Sequence, residues 1–216
     1  MRAGIALAVL TTVLLAACGG SSNPQFEAGI LAAATQAGLD IPTWQACRAT
    51  QAPADRVAQD VTLANAVLAR EATPTLVINC ERYVGLESLD TLWGEVSSAE
   101  ATAQSSGVAI DAYYASACSQ VPVLDSPVRG STPSWATLVE FGDFECPYCG
   151  AQEPILRQLL ADHPEVELVW KNLPLTSVHP HALAAAIAAE CAVDQGRFWE
   201  MHDAIYQNQG AIFGGD

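Results

Sequence analysis

Apolar positions along this chain change their period several times, and each change marks an element. Residues 26–40 are Ala-rich and helix-like, ending near Gly38. From about Pro53 to Arg70, Val57, Val61, Ala64 and Leu68 recur at spacings of four, three and four, the stripe of a second amphipathic helix. Thr73-Pro74-Thr75-Leu76-Val77-Ile78-Asn79 then reads as a proline-led β-run. Asn79 to Arg82 reads as a turn, and Tyr83-Val84 as a short return strand. Leu86 to Val96 predicts a helix with Leu89, Leu92, Trp93 and Val96 on its inner face.

Residues 97–109 lack a sustained apolar pattern and read as linker, with a short helix expected over Asp111 to Cys118. Pro122, Pro127, Gly130 and Pro133 punctuate an extended approach to a strand at 136–141. A helix-like stretch containing Pro154-Ile155-Leu156-Arg157-Gln158-Leu159-Leu160 follows, then a strand at 166–170. An Ala-rich helix is expected over 182–195, and Phe198 to Tyr206 continues helically. Trp199 and the aromatic residues around it read as core, and His163 and His202 as surface or helix residues without a role.

Composition narrows the classes. The chain has 216 residues, enough for one large domain or two small ones, and its 50% hydrophobic content is ample for a core. Nine basic against 24 acidic residues, net −15, argue against a nucleic-acid partner, whose phosphates need Lys and Arg. The start changes the picture further. Arg2, the apolar run Ala3–Ala17 and the ending Leu15-Ala16-Ala17-Cys18 read as an export signal over 1–17. Leu-Ala-Ala-Cys also resembles the bacterial lipobox, which implies cleavage before Cys18 and a lipid on its sulfur; a plain secretory signal is the other reading. Residues 18–25 then form a lipidated, flexible tether. The location expected is the periplasmic side of the cell envelope, anchored to a membrane by lipid. Disulfides persist in such compartments. Cys47, Cys80, Cys118 and Cys191 can pair in three complete ways, and each also suits a small buried hydrophobe.

The chemistry concentrates at Cys146-Pro147-Tyr148-Cys149, between the strand at 136–141 and the helix after it. A sulfur at a helix N-terminus meets unpaired N–H groups and the positive end of the dipole, which favour the thiolate. That thiolate is the attacking species in thiol–disulfide exchange, and a second cysteine two residues on resolves the mixed disulfide. Cys146 is therefore the candidate nucleophile and Cys149 the resolving cysteine. Pro147 suits an early helical position because it lacks the N–H that would be unpaired there. Pro147-Tyr148, between the cysteines, helps set the potential. A permanent disulfide or half of a zinc site are the alternatives. No second CxxC exists to complete a zinc site, so no metal is expected.

Residues 119–216 resemble the front half of a DsbA-like thioredoxin-fold oxidoreductase. The likeness rests on Val139-Glu140-Phe141-Gly142-Asp143-Phe144-Glu145-Cys146-Pro147-Tyr148-Cys149, with Asn172-Leu173-Pro174-Leu175, His179-Pro180-His181-Ala182 and Gly196-Arg197-Phe198-Trp199-Glu200-Met201-His202 in order behind it. Residues 26–96 resemble the back half of the same fold. The family's Gly-Thr-Pro-Thr, with its proline in cis, is here Ala72-Thr73-Pro74-Thr75, and Cys80 stands where the hairpin turn usually has glycine. The fold implied is a thioredoxin-like (DsbA-like) α/β fold with a helical insertion and its halves in inverted order, joined by a linker over 97–118. A tandem-domain ancestor with a first domain lacking its front and a second cut at Asp216 explains that order. So does a permuted domain, or exchange of halves between two molecules. For the folded chain we expect complementation, since each half alone would expose unpaired strand edges and an apolar helix face.

The resemblance also implies roles. Glu140, six residues before Cys146, corresponds to a buried acid that relays protons with Cys149; an ordinary strand residue facing water is the alternative. Thr73-Pro74 would lie opposite the CxxC and pair with a substrate strand. The implied reaction is dithiol–disulfide exchange on protein or peptide thiols, needing no cofactor beyond the redox-active cysteine pair and recycled by a membrane redox partner. A reductase or isomerase, and a non-catalytic thioredoxin-scaffold binding lipoprotein, are the rival readings.

Overall fold

The computed structural model describes residues 23–78, 80–107, 121–123, 125–130, 134 and 136–214. The export signal, the lipidation position Cys18 and the helix expected at 111–118 lie outside them.

Helix α1 (Pro24–Gln36) starts at Asn23, whose side chain accepts from the N–H groups of Gln25 and Phe26. It buries Phe26, Ile30, Ala33 and Ala34. A helix absent from the sequence reading follows, α2 (Ile41–Arg48), capped by Asp40 through Thr43 N–H at 3.0 Å. Its eight residues bury only Trp44, too little to register as a stripe. Helix α3 (Ala52–Val67) ends three residues earlier than expected, because Leu68 is already extended (ψ 139°). Strands β1 (Thr75–Ile78) and β2 (Glu81–Val84) form an antiparallel hairpin, so Glu81 and Arg82 belong to the strand rather than the turn. Cys80, in glycine's place, adopts φ 68° and is disulfide-bonded. An L-residue there costs about 1–2 kcal/mol. Helix α4 (Leu89–Ser106) runs ten residues past the expected end at Val96, into the stretch read as linker, and stops at left-handed Gly107. Ser, Ala, Thr and Gln there carry no apolar stripe, yet Ala and Gln sustain a helix once it is nucleated.

The second segment supplies β3 (Val128–Gly130), β4 (Ala136–Gly142), α5 (Pro147–Asp162), β5 (Val166–Asn172), α6 (Ala182–Val193), α7 (Phe198–Gln207) and α8 (Gln209–Phe213). The five strands among the described residues lie in one sheet of order β2-β1-β4-β5-β3. Only β4 and β5 are parallel. The architecture is a thioredoxin-like α/β fold in which the earlier segment's hairpin completes the later segment's sheet. Strand β1 sits between β2 and β4, pairing Thr75 with Phe141 and Leu76 with Glu140. A central strand is covered on both faces, which is why Thr75–Ile78 reads as an unbroken apolar run and is buried throughout.

Alternation then sorts the side chains. Leu76, Ile78, Leu138 and Leu168 pack with Leu92 and Val96 of α4 and Leu156 and Leu159 of α5. Val77, Val139 and Val169 face Ala64 and Val67 of α3. A third cluster gathers α1, α2, α6, α7 and α8 around Trp44, Phe144 and Trp170.

Polar ties cross the same divide. Lys171, 3% exposed, lies 3.3 Å from Asp60 of α3. Asn172 donates to Asp60 through its backbone N–H at 2.9 Å and to Glu190 through its side chain at 2.7 Å. Arg56 completes the group on Glu190 at 2.8 Å. Of the pairings left open by the sequence, the structure selects Cys47–Cys191, which joins α2 to α6 across a sequence separation of 144.

A bridge that closes so long a loop restricts the unfolded chain. Cys47→Ala with Cys191→Ala is expected to cost roughly 2–5 kcal/mol of unfolding free energy. Urea titration of parent and variant measures it, and coincident midpoints would show that packing alone holds α2 in place.

Candidate active site

The site forms where β4 ends and α5 begins. Gly142 ends the strand against the Trp170 ring; a Cβ there would come within 2.2 Å of it, so only glycine fits. Asp143 next organises the turn. Its buried carboxylate accepts from the backbone N–H of Glu145 and Leu175, both at 2.8 Å, and meets His179 Nδ1 at 2.7 Å. Its carbonyl accepts from Cys146 N–H at 3.1 Å and from the Tyr206 hydroxyl at 3.2 Å. Its own N–H points at Cys149 Sγ, 3.5 Å away.

Cys146 is the N-cap of α5 in an extended conformation (φ −70°, ψ 120°), with Pro147 as the first helical residue. Its sulfur lies 3.4 Å from the carbonyl oxygen of Thr73. The Thr73–Pro74 peptide is cis. Pairing of β1 with β4 thus brings Thr73 and Pro74 to the end of the sheet where Cys146, Pro147, Tyr148 and Cys149 lie. Both sulfurs are free and buried, while Tyr148 is 62% exposed at the mouth.

The two thiols are driven apart in acidity. A hydrogen bond from the Cys149 thiol is the main cause that lowers Cys146 to about 6. Burial opposes it; the Thr73 side chain and the backbone N–H groups of Cys149 and Tyr148 assist. The Thr73 hydroxyl is buried and has no partner while Cys146 is a thiol, so its proton can turn to the sulfur once that carries charge. Cys149 moves the other way. Burial pushes its thiol well above the ordinary value, with the hydrogen bond to Cys146 and the charges of Glu140 and Cys146 adding. Glu140, 2% exposed between Leu76 and Trp170, faces no water. Burial raises its carboxyl to about 8, and the charges of Glu153 and Cys146 add to the shift.

One positioning residue escaped the sequence reading. Gln209, the first residue of α8, donates through Nε2 to the carbonyls of Phe144 and Cys146, both at 2.9 Å. Its side chain fits because position 150 is glycine; a Cβ there would stand 2.3 Å from Gln209 Oε1. A lone Gln 60 residues downstream carries no sequence signal. Asp143 and His179 belong to quoted motifs, but their mutual contact is a tertiary fact. His202, read as a surface or helix residue, is instead 1% exposed, ringed by Phe144, Trp170, Trp199 and Tyr206. Burial lowers it to about 4.

Among the described residues, one group brings metal-ligating atoms together: Glu153, His202 and Asp203, within 4.8 Å of one another. Arg157 lies 3.1 Å from Glu153 and Arg129 lies 2.7 Å from Asp203, so guanidinium groups already occupy the carboxylates. His179 is engaged by Asp143, and His181 stacks on Phe26 at 4.7 Å; neither adds a ligand to the cysteines.

Residues 123–216 match the family described as Thioredoxin. Among curated proteins, the chain is 56% identical over 85 residues to Na(+)/H(+) antiporter NhaA 1 of Salinispora arenicola, which is 39% of this chain and 13% of that protein. It is 43% identical over 83 residues to Na(+)/H(+) antiporter NhaA 1 of Mycolicibacterium gilvum, 38% of this chain and 14% of that one. Over 86 residues it is 37% identical to Na(+)/H(+) antiporter NhaA of Herminiimonas arsenicoxydans, again 39% and 13%. The chain thus spans 13–14% of the length of these curated relatives. No solved structure matches it.

Two outcomes follow from the geometry. Glu140 stays protonated in the folded chain up to about pH 8 but ionises near 4.5 when unfolded. Between those values unfolding releases a proton, so stability falls as pH rises, by at most about 1.4 kcal/mol per unit. Glu140→Gln should flatten that slope; urea titrations in the disulfide form, where neither thiol titrates, measure it, and parallel pH profiles would reject a buried acid. Gln209→Ala removes both carbonyl contacts and should cost about 1–2 kcal/mol. It should also raise the Cys146 titration, read by thiolate ultraviolet absorbance, and an unmoved titration would deny Gln209 any hold on the cysteine.

Proposed function

We propose that this thioredoxin-like chain is a DsbA-like protein thiol:disulfide oxidoreductase working through Cys146 and Cys149. The observation that carries the reading is the asymmetry of the pair: one sulfur inclined to ionise beside the Thr73 carbonyl, the other buried and reluctant. In the oxidising direction, a client thiolate attacks Cys146 Sγ of the Cys146–Cys149 disulfide. The S–S bond breaks, and its electron pair leaves on Cys149, which takes up a proton; Glu140, protonated by burial, is the donor at hand. A second client thiolate then attacks the client sulfur of the mixed disulfide and releases Cys146 as a thiolate. Two electrons pass from the client dithiol to Cys146 and Cys149.

A low-pKa thiolate leaves readily, and a stabilised reduced form makes a pair oxidising. The lowered pKa of Cys146 therefore supports oxidation of clients over reduction. Asp143 N–H, aimed at Cys149, and the Gln209 clamp on the Cys146 carbonyl hold the loop in place for both attacks. The electrons reside on the cysteine pair itself, and a membrane redox partner would take them up to restore the disulfide. Attachment through a lipid on Cys18 at the periplasmic face of the envelope, and clients that are exported proteins or peptides with free thiols, belong to the same proposal. The antiporters' names speak of ion transport, but no helix among the described residues is long and apolar enough to cross a membrane, and the reading for this chain rests on its thiols.

Oxidation of a reduced model protein tests it. Cys146→Ser should fall to the uncatalysed rate, and Cys149→Ser, given a client disulfide that Cys146 attacks with one client sulfur leaving as thiolate, should accumulate a mixed disulfide that the parent resolves. Turnover unaffected by Cys146→Ser would reject the enzyme and leave a binding scaffold. Faster reduction of insulin than oxidation of client thiols would turn the assignment to a reductase.

A further inference from the structure

Cationic side chains are scarce in this acidic chain, and most are spoken for. Arg48, Arg56, Arg129, Arg157, Lys171 and Arg197 each lie within 4.0 Å of a carboxylate. Arg70 and Arg82 make no ion pair among the described residues, and both are exposed. They line the same cleft, about 370 Å³, between the end of α3 and the β1–β2 hairpin, with Leu68, Thr75 and Val84 as apolar walls.

The register explains how Arg82 comes to line it beside Val84. Val84 pairs with Thr75 and Arg82 with Val77, so both project to the α3 side of the hairpin. Glu81 also borders the cleft, but alternation turns its side chain to the opposite face. There its charge acts with those of Glu87 and Glu95 on the Tyr83 phenol. Acidic and basic groups are therefore sorted onto the two faces of the hairpin.

The cleft adjoins the thiols. Thr75 is two residues from Thr73, whose carbonyl lies 3.4 Å from Cys146 Sγ, and Gly85 N–H pins the end of β2 to the Pro74 carbonyl at 2.9 Å. An extended polypeptide advances about 3.3 Å per residue, so one joined to Cys146 reaches the arginines roughly two to four residues from its cysteine. A net charge of −15 would by itself disfavour acidic clients. At physiological salt, however, screening acts over about 8 Å, so charges beside the bound segment outweigh the distant ones.

We propose that this cleft is a client subsite for a carboxylate side chain, so that the enzyme favours polypeptide thiols with Asp or Glu a few residues from the reacting cysteine. The proposal rests on the oxidoreductase reading for its purpose, though not for its binding chemistry.

Matched peptides with one cysteine pair, carrying Glu, Gln or Lys at the flanking positions, test it on the full chain. The parent should oxidise the Glu peptide roughly tenfold more efficiently than the Lys peptide, the upper range for two exposed ion pairs, and the difference should lie in KM. Arg70→Glu with Arg82→Glu, both at exposed positions, should invert the order. Equal efficiencies, or an order that survives the double substitution, would overturn the proposal. Anisotropy with serine-for-cysteine peptides separates the two readings. The same ranking in binding sustains the subsite even where no peptide is oxidised, whereas a flat ranking in binding overturns it.

Discussion

Antiparallel pairing of β1 with β4 is the contact on which the rest of this molecule depends. It covers an edge that β4 would otherwise present to water, and it buries β1 on both faces. It also sets the site, because registering Thr75 opposite Phe141 delivers the Thr73 carbonyl to Cys146 Sγ. Two stretches of chain 73 residues apart thus supply one reactive centre. The Cys47–Cys191 bridge and the Asp60, Lys171, Asn172 and Glu190 group fasten the helical side of the same junction, so hairpin and helices are held to the second segment independently.

Around that contact the electrostatics divide the work between two sulfurs. Cys146 is at the helix start with donors directed at it, while Cys149 is one turn deeper, with Glu140 among the charges opposing its ionisation. Burial is the largest cause raising Cys149, whereas at Cys146 the hydrogen bond from Cys149 outweighs burial. In the exchange we propose, Glu140 can give up a proton only because it is dry. On a solvated face a carboxyl would be ionised at neutral pH and could not give up a proton to a departing thiolate.

Supporting groups converge on the loop rather than on the sulfurs. Asp143 gathers four hydrogen-bonding partners on its side chain and carbonyl beyond its contact with His179, and Gln209 donates to the carbonyls of Phe144 and Cys146. Helix α8, which carries Gln209, packs in turn on α1 where Gly29 meets Ile212. The N-terminal helix therefore reaches the CxxC through a chain of ordinary contacts.

Local chemistry could be read without coordinates wherever it depends on near neighbours. The CxxC, the proline suited to a helix start, the unbroken apolar run of β1 and the alternating strands all announce themselves within a few residues. The helix α2 was invisible because one tryptophan makes no stripe, and α4 was cut short because its distal half is polar. His202 lies in a helix, one of the two placements read for it, but its burial was not legible, because that depends on the aromatic residues folded around it, not on its neighbours in sequence. By itself the sequence determined which residues can do thiol chemistry and that two strand-bearing segments flank a polar stretch. Only the tertiary structure decided that they share one sheet, which cysteines cross-link, that Glu140 is dry, and that Gln209 holds the loop, because each depends on distant groups whose separation no local pattern encodes.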